Sequence, residues 1–569
     1  MAYKDLQTFI KMLKDKGELK YIDASVSSEL EITEITDRVS KVHGPALLFR
    51  NVKDSNYPVL INAMGSYDRM SWGLGAETLD DIGDEIAKYL DLGNNLSINK
   101  LFRSIPRLFR LLNVFPIKSK FRGKCQEVIE KHVKLSTFPV LKCWPKDAGR
   151  FVTLPLVFTK DIKTKQQNVG MYRMQIIDET TTGMHWHKHK DGSEIYKSYE
   201  VNKQKMPVSV ALGCDPAITY AATAPLPKMI DEMMLAGYIR KSNVRMVKSI
   251  TNDIYVPSNA EIILEGYVDP SEELILEGPF GDHTGYYSLA DYYPKFHVTC
   301  ITHKKNAIYP ATVVGKPPME DCYMAKATER IFLPILKMLM PELVDLNLPF
   351  EGVFHNCAIV SVKNKYPGCA SKIMNSIWGM GQMMYTKLIV VVDETVDVQN
   401  SSEVRDAVLQ NVFDSESLFI SDGPLDALDH SSDKSLYGSR LGVDATTKNI
   451  STQYNRLNTY KLLIVDKKCP WQGKSALEQF IKMNDDKFVI ALDNVDPKDL
   501  STVMWKVFNN IDAKRDIIII DNKFGIDATK KLKEEGLTRD WPNNIEMSDE
   551  IKQYVNERWD EYGIDKNNK

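Results

Sequence analysis

Lys387-Leu-Ile-Val-Val-Val-Asp393 and, a hundred residues later, Lys487-Phe-Val-Ile-Ala-Leu-Asp493 are short apolar runs closed by an acid. Runs of this length without polar alternation mark strands buried on both faces, as in a parallel sheet covered by helices. Residues 358–362 (AIVSV), 460–466 (YKLLIVD) and 516–521 (DIIIID) read the same way. Helical stretches such as 327–340 (ATERIFLPILKMLM) alternate with them, so 321–545 reads as a C-terminal α/β domain. A helix and a second strand follow both lysine-led runs. The stretch GVDATTK (442–448) is then echoed by GIDATKK (525–531), which predicts an internal duplication. Residues 546–569 read as a C-terminal helix and polar tail.

Upstream the character changes. Residues 116–320 hold TLPLVFTKD (153–161), NVGMYRMQIID (168–178), MPVSVALG (206–213), AEIILEGYV (260–268) and FHVTCITH (296–303). These are β-branched and aromatic runs punctuated by Gly, Pro and Asp. A split β-barrel with a helical insert near 228–240 is expected. Residues 1–115 read as an N-terminal α/β unit. Leu6, Phe9, Ile10 and Leu13 keep helical spacing, and 75–92 forms an amphipathic helix with Thr78 as N-cap.

Composition bounds the function. The chain has 569 residues, 43% hydrophobic and 26% charged, which is ordinary globular usage. A net charge of −3 gives no basic surplus for nucleic acid. No apolar run approaches the ~20 residues of a membrane span, and the N-terminus lacks an apolar signal core. A cytoplasmic protein is expected, with peripheral membrane association left open. The eight cysteines form no CxxC pair, so free thiols are expected rather than disulfides or a zinc site.

Three stretches could carry chemistry. His185, His187 and His189 alternate, so one strand face could present three imidazoles to a metal, or they could simply be the polar side of a solvated strand. Glu277 and Asp282 flank a Gly-Pro turn, either as paired carboxylates with split pKa values or as an acidic surface turn. Gly473-Lys474-Ser475 is not a phosphate loop, because Lys468 stands where the motif requires its first glycine.

Seven segments taken in order resemble the UbiD-like family of prenylated-flavin-dependent decarboxylases. They are NVGMYR (168–173), HWHKHKDG (185–192), PVSVALGCDPA (207–217), KSITNDIYVPSNAEIILEGY (248–267), EGPFGDHTGYY (277–287), MYTKLIVVVD (384–393) and GSRLGVDATTK (438–448). LEITEI (30–35) and GPALLF (44–49) fit as well. The resemblance implies prenylated FMN, made by a separate flavin prenyltransferase, and Mn²⁺ or another divalent metal on its phosphate, with K⁺ beside it in some members. It places Asn168, His189 and Glu232 on the metal. It places Met171, Tyr172, Arg173, His185, Trp186, His187, Lys190, Asp191, Thr223 and Lys387 along the cofactor, with Lys387 on its phosphate. An amide oxygen, a carboxylate and one imidazole suit Mn²⁺ better than three histidines would. Arg173, Glu277 and Asp282 fall on the catalytic positions, with Asp282 as proton donor. The implied reaction is reversible decarboxylation of an aromatic or α,β-unsaturated acid through a covalent cofactor adduct. The fit to quinone-pathway members points to a hydroxyaryl carboxylate, and the family's habit points to a homodimer or homohexamer. The alternatives are a carboxylase, a flavin-binding scaffold of quinone synthesis, and a metal-dependent hydrolase built on the histidines. The hydrolase would leave Arg173 and Lys387 without a role.

Overall fold

The protein, a computed structural model, is described over residues 3–94, 114–186, 191–228, 230–447 and 459–565. It divides into two compact units, residues 1–328 with 544–569 and residues 329–543.

An antiparallel sheet centres the first unit. Its strands are β1 (Leu156–Lys160), β2 (Gln167–Met171), β3 (Thr181–Gly183), β4 (Met206–Leu212), β5 (Ile262–Val268) and β6 (Lys295–His303), hydrogen-bonded in the order β3-β6-β5-β4-β1-β2. A short strand, Val128–Glu130, also pairs with β6. The expected barrel is not closed. Among the described residues no ladder joins β2 to β3, and β3 matches only three residues of β6. Closure needs a continuous stagger of ladders around the ring. Helix α1 (Asp191–Val201) instead packs on β1 and β2. The ladder shifts register between Glu265 and Gly266, where a Cβ on Gly266 would stand 1.8 Å from the His297 carbonyl oxygen. Only glycine allows that approach of β5 to β6.

Alternation along these strands turns Val208, Val210, Leu264 and Val298 into one core, together with Ile32, Ile35, Leu47 and Phe49 of the N-terminal segment. That segment forms its own sheet from Leu19–Ile22, Ala46–Phe49 and Val59–Ile61, extended by Tyr309–Pro310. The helix Asp549–Arg558 returns to this core through Val555, and the turn Trp559–Tyr562 that follows it adds Trp559 and Tyr562. Arg558 pairs there with Glu31, which also accepts from the Tyr562 hydroxyl at 2.9 Å.

The second unit holds the predicted buried strands. One sheet has β7 (Leu343–Asn347), β8 (Cys357–Val362), β9 (Leu388–Asp393), β10 (Leu418–Pro424) and β11 (Tyr437–Asp444), ordered β7-β8-β9-β11-β10. The other has β12 (Tyr460–Ile464), β13 (Phe488–Leu492), β14 (Ile517–Ile520) and β15 (Lys523–Asp527), ordered β12-β13-β15-β14. The first sheet adds an antiparallel edge pair, β7–β8; beyond it, both sheets have two parallel pairings followed by one antiparallel pairing. The match extends to side chains. Asp444 Oδ1 accepts from the Thr446 backbone N–H and hydroxyl at 3.1 and 2.7 Å, and Asp527 Oδ1 from those of Thr529 at 3.1 and 2.5 Å. Asp393 accepts from the Thr447 N–H at 2.7 Å, and Asp493 from the Lys530 N–H at 3.1 Å. The two Asp-Ala-Thr turns are thus held by the same bonds. Gly473 stands in the first turn of a helix (Gln472–Met483), where a Cβ would meet the Asp527 carboxylate at 2.5 Å. Its glycine serves that close packing.

Candidate active site

The stretch after β2 leaves the sheet at Tyr172 and projects Arg173 inward, with its side chain only 10% exposed. Each of the three guanidinium nitrogens donates one hydrogen bond. Nε donates to Glu277 Oε1 at 3.1 Å, Nη1 to Asp282 Oδ2, and Nη2 to Ser288 Oγ at 3.1 Å. The Phe280 ring lies 4.6 Å from the guanidinium carbon. Arginine suits this position because its planar fork serves two carboxylates at once and never gives up its charge.

The loop Glu277–Asp282 brings both acids to that fork. Gly278 takes φ +90°, and its N–H donates to Gln175 Oε1 at 2.9 Å. Gly281 donates to Asp147 at 2.7 Å and lies so near Trp144 that a Cβ would stand 2.3 Å from the indole. Asp147 also accepts from the backbone of Cys143 and Trp144, so it fastens the loop to the preceding segment. The acidic pair is therefore a buried constellation and not a surface turn.

The electrostatics separate the two acids' surroundings. Glu277 is fully buried, accepts from His185 Nδ1 at 2.7 Å, and keeps Oε2 without a hydrogen-bond partner among the described residues. Burial lowers the His185 pKa, and Arg173 adds to the effect against the pull of Glu277. Burial would raise Asp282, but Arg173 and His283 outweigh it and hold the carboxyl far below the usual range. His283 donates to Asp282 Oδ1 through its N–H at 2.8 Å and Nδ1 at 2.9 Å. The Tyr293 ring lies 4.2 Å from that of His185. Burial pushes its phenol up to about 12 against the pull of Arg173, with Glu277, Asp291 and Asp282 adding to the rise.

A second cluster sits on the same stretch. Asn168 on β2 donates from Nδ2 to Glu232 Oε1 at 3.0 Å, and the Val169 N–H donates to Oε2 at 3.3 Å. Glu232 opens helix α2 (Glu232–Arg240), whose N-cap Asp231 accepts from the Met233 N–H at 2.8 Å. Burial pushes the Glu232 carboxyl up to about 7, and Asp231 and Asp191 add to this against backbone hydrogen bonds. Asn168 Oδ1 is buried and unpartnered among the described residues. Both residues border a cavity of ≈ 230 Å³ shared with Lys118, Gln167, Asp231 and Tyr255. An orphaned amide oxygen beside a desolvated carboxylate is a donor set that a hard divalent cation would satisfy. Among the described residues no three His, Cys, Asp or Glu side chains converge as a metal site.

The other expected residues distribute as follows. Tyr172 is buried against Gly170 and Gly192. Trp186 is buried with Nε1 unpartnered among the described residues. Met171 ends β2, and Asp191 opens α1. Thr223 donates its hydroxyl to the Tyr220 carbonyl at 2.7 Å. His187, His189 and Lys190 lie outside the described residues. Ser288, Phe280, His283 and Tyr293 escaped notice in the sequence, although Phe280 and His283 stand inside EGPFGDHTGYY.

Lys387 belongs to the second unit. Its ammonium is buried and bonds Asp429 at 2.6 Å, Ser431 Oγ at 2.7 Å and the Asn509 carbonyl at 3.0 Å. Three donors meet three acceptors. Reaching a phosphate would require one of these bonds to open. Burial raises the Asp429 carboxyl, but Lys387 and His430 outweigh it and bring it to about 2. A carboxyl depressed below its unfolded value near ~3.9 stabilises the fold above that pH and loses the contribution as pH falls toward its folded value. Asp429→Asn is therefore expected to destabilise the second unit by about 3–5 kcal/mol, by leaving a buried ammonium unpaired. Denaturant titration at several pH values would show the loss, together with a flatter acid limb below pH ~4.

The chain matches family models of 3-octaprenyl-4-hydroxybenzoate carboxy-lyase along its length. The N-terminal domain covers 10–87, the Rift-related domain 117–317, and the C-terminal domain 322–445 and 461–535. An uncharacterized protein of Archaeoglobus fulgidus is 50% identical over 459 residues, 80% of this chain and 94% of that one. An uncharacterized protein of Aquifex aeolicus is 40% identical over 566 residues, 99% of each chain. Among solved structures, vanillic acid decarboxylase of Sedimentibacter hydroxybenzoicus in its closed form aligns with TM-score 0.69 at 26% identity, covering 85% of this chain and 99% of that one. The UbiD-class enzyme HmfF of Pelotomaculum thermopropionicum in complex with FMN also gives TM-score 0.69, at 22% identity over 83% of this chain and 98% of that one, a likeness of fold.

Proposed function

The chain belongs to the UbiD family of carboxy-lyases, and from that premise we propose that it decarboxylates a hydroxyaryl carboxylic acid with prenylated FMN. The observation that carries this reading is the buried Arg173 fork holding Glu277 and Asp282. Asn168 and Glu232 would hold Mn²⁺ or a similar cation, with His189 as the third ligand and K⁺ as an accessory ion. Trp186, Tyr172, Met171, His185, His187, Lys190, Asp191, Thr223 and Lys387 would border the cofactor. The orphaned Asn168 oxygen and Trp186 N–H fit such a role, since each lacks a partner among the described residues.

When bound, prenylated FMN supplies an electron sink for the pair left by departing CO₂. The chain's own residues do the rest. Arg173 is a fixed positive charge that orients a carboxylate and holds Glu277 and Asp282 in place. Asp282, once protonated, delivers its proton to the ring carbon that lost CO₂. Glu277 and His185 fix the far side of the fork and exclude water. Run backward, the same residues serve carboxylation by microscopic reversibility. His185 is already bonded to Glu277, which weighs against a metallohydrolase. Among the described residues no helix is long and apolar enough to cross a membrane. We place the protein in the cytoplasm as a homodimer or homohexamer supplied by a flavin prenyltransferase. The matched halves of its second unit fit a duplication that enlarges an interface.

The test is expression beside a flavin prenyltransferase under low oxygen, followed by absorbance and mass of the released cofactor. A prenylated-flavin mass with stoichiometric divalent metal is expected. Apo protein, from conditions that load a known family member, would remove the reading.

A further inference from the structure

Decarboxylation of a carboxylate, R–CO₂⁻ + H⁺ → R–H + CO₂, consumes one proton per turnover. Asp282 gives that proton to carbon and is left as a carboxylate that must be recharged. Its surroundings limit the source. Oδ2 faces the Arg173 guanidinium, while Oδ1 accepts from the backbone N–H and the imidazole Nδ1 of His283. A guanidinium and a peptide N–H do not release protons at neutral pH. Among the described residues, the one side chain bonded to Asp282 that can hand over a proton is His283. It is also 20% exposed, so it can exchange with water.

Asp321 lies in the first turn of helix α3 (Glu320–Leu339). Its Oδ1 accepts from the Cys322 N–H at 3.0 Å, while Oδ2 is buried without a hydrogen-bond partner among the described residues. Burial pushes its carboxyl up to about 6, His283 pulls it down, and Asp282 and Glu320 push it further up. The neighbouring Glu320 is committed elsewhere, to the Met64 N–H at 2.8 Å. The charged and titratable groups whose charges act on or feel Asp282 and His283 are Arg173, His185, Tyr293 and Asp321.

We propose that His283 recharges Asp282 after each turnover, through the contact its imidazole Nδ1 makes with Asp282 Oδ1. In the step, the Nδ1–H bond of the imidazolium breaks and an O–H bond forms on Asp282 Oδ1. The neutral imidazole then takes a proton from water. His283 acts through Asp282 and is a positioning residue for the decarboxylation argued above, on which this inference rests.

One experiment tests it. In the loaded enzyme, rapid-quench CO₂ release is followed with 4-hydroxybenzoate, vanillate and 1,4-dihydroxy-2-naphthoate, using the acid that wild type turns over. His283→Gln should release one CO₂ per site at the wild-type rate and then run at least ~10-fold slower, because carbon–carbon cleavage precedes protonation. Imidazole should partly restore turnover in His283→Gly. Full steady-state turnover in His283→Gln, or a burst that falls with the steady state, overturns the relay. Loss of the reading itself is distinguishable, because wild type would then release no CO₂ from any of the acids.

Discussion

Asp282→Asn is expected to lower turnover by at least about 10³-fold while flavin and metal content stay unchanged. The substitution keeps the shape of the side chain, so Arg173 retains Glu277 and Ser288 and the loop retains its Gly281–Asp147 anchor. What disappears is the group that can carry a proton to the ring carbon. The carboxamide cannot replace it, because it neither gains nor loses a proton in this range. Cofactor content is read by absorbance and mass, and turnover by CO₂ release per loaded site. Retained turnover would move proton delivery to another residue. A loss of flavin alongside activity would instead make Asp282 part of the binding site.

Asn168→Ala is expected to empty the second cluster, with metal and flavin falling together to less than about a tenth of the wild-type content. Alanine removes the orphaned Oδ1 and also the Nδ2 donor that Glu232 accepts at 3.0 Å. The Glu232 carboxyl, already raised by burial, then has still less reason to ionise, and an ionised carboxylate is what a divalent cation needs. Elemental analysis and absorbance of the purified variant measure both contents, and circular dichroism checks that the fold is kept. Metal lost with flavin retained would separate the two sites. Both retained would remove Asn168 from the metal.

The sequence carried the class of each half better than its closure. Continuous apolar runs such as 387–393 and 487–493 mark strands covered on both faces, and they do pair in parallel within two sheets. Their shared Asp-Ala-Thr turns were legible because an Asp two residues before a Thr makes the same local bonds wherever it recurs. The barrel was not legible in the same way. β-branched runs announce strands, but closure depends on whether β2 and β3 pair, and three residues at Thr181–Gly183 are too few to reveal it. The Glu277 and Asp282 pair looked like a turn by spacing. Its burial depends on Arg173, more than a hundred residues away in sequence. Asn168 and Glu232 meet across a separation of 64 residues, which no local pattern encodes. Tyr293 sits in a hairpin with exposed neighbours, so nothing in its surroundings singled it out.

The most direct test of the account is decarboxylation by the loaded protein in D₂O, with the released CO₂ and the deuterium in the product counted together. The account predicts one CO₂ and one deuterium per product, placed at the carbon that lost the carboxylate, and only when prenylated flavin and metal are bound. Equal CO₂ release without the cofactor, or none from the fully loaded protein with any hydroxyaryl acid, would contradict it.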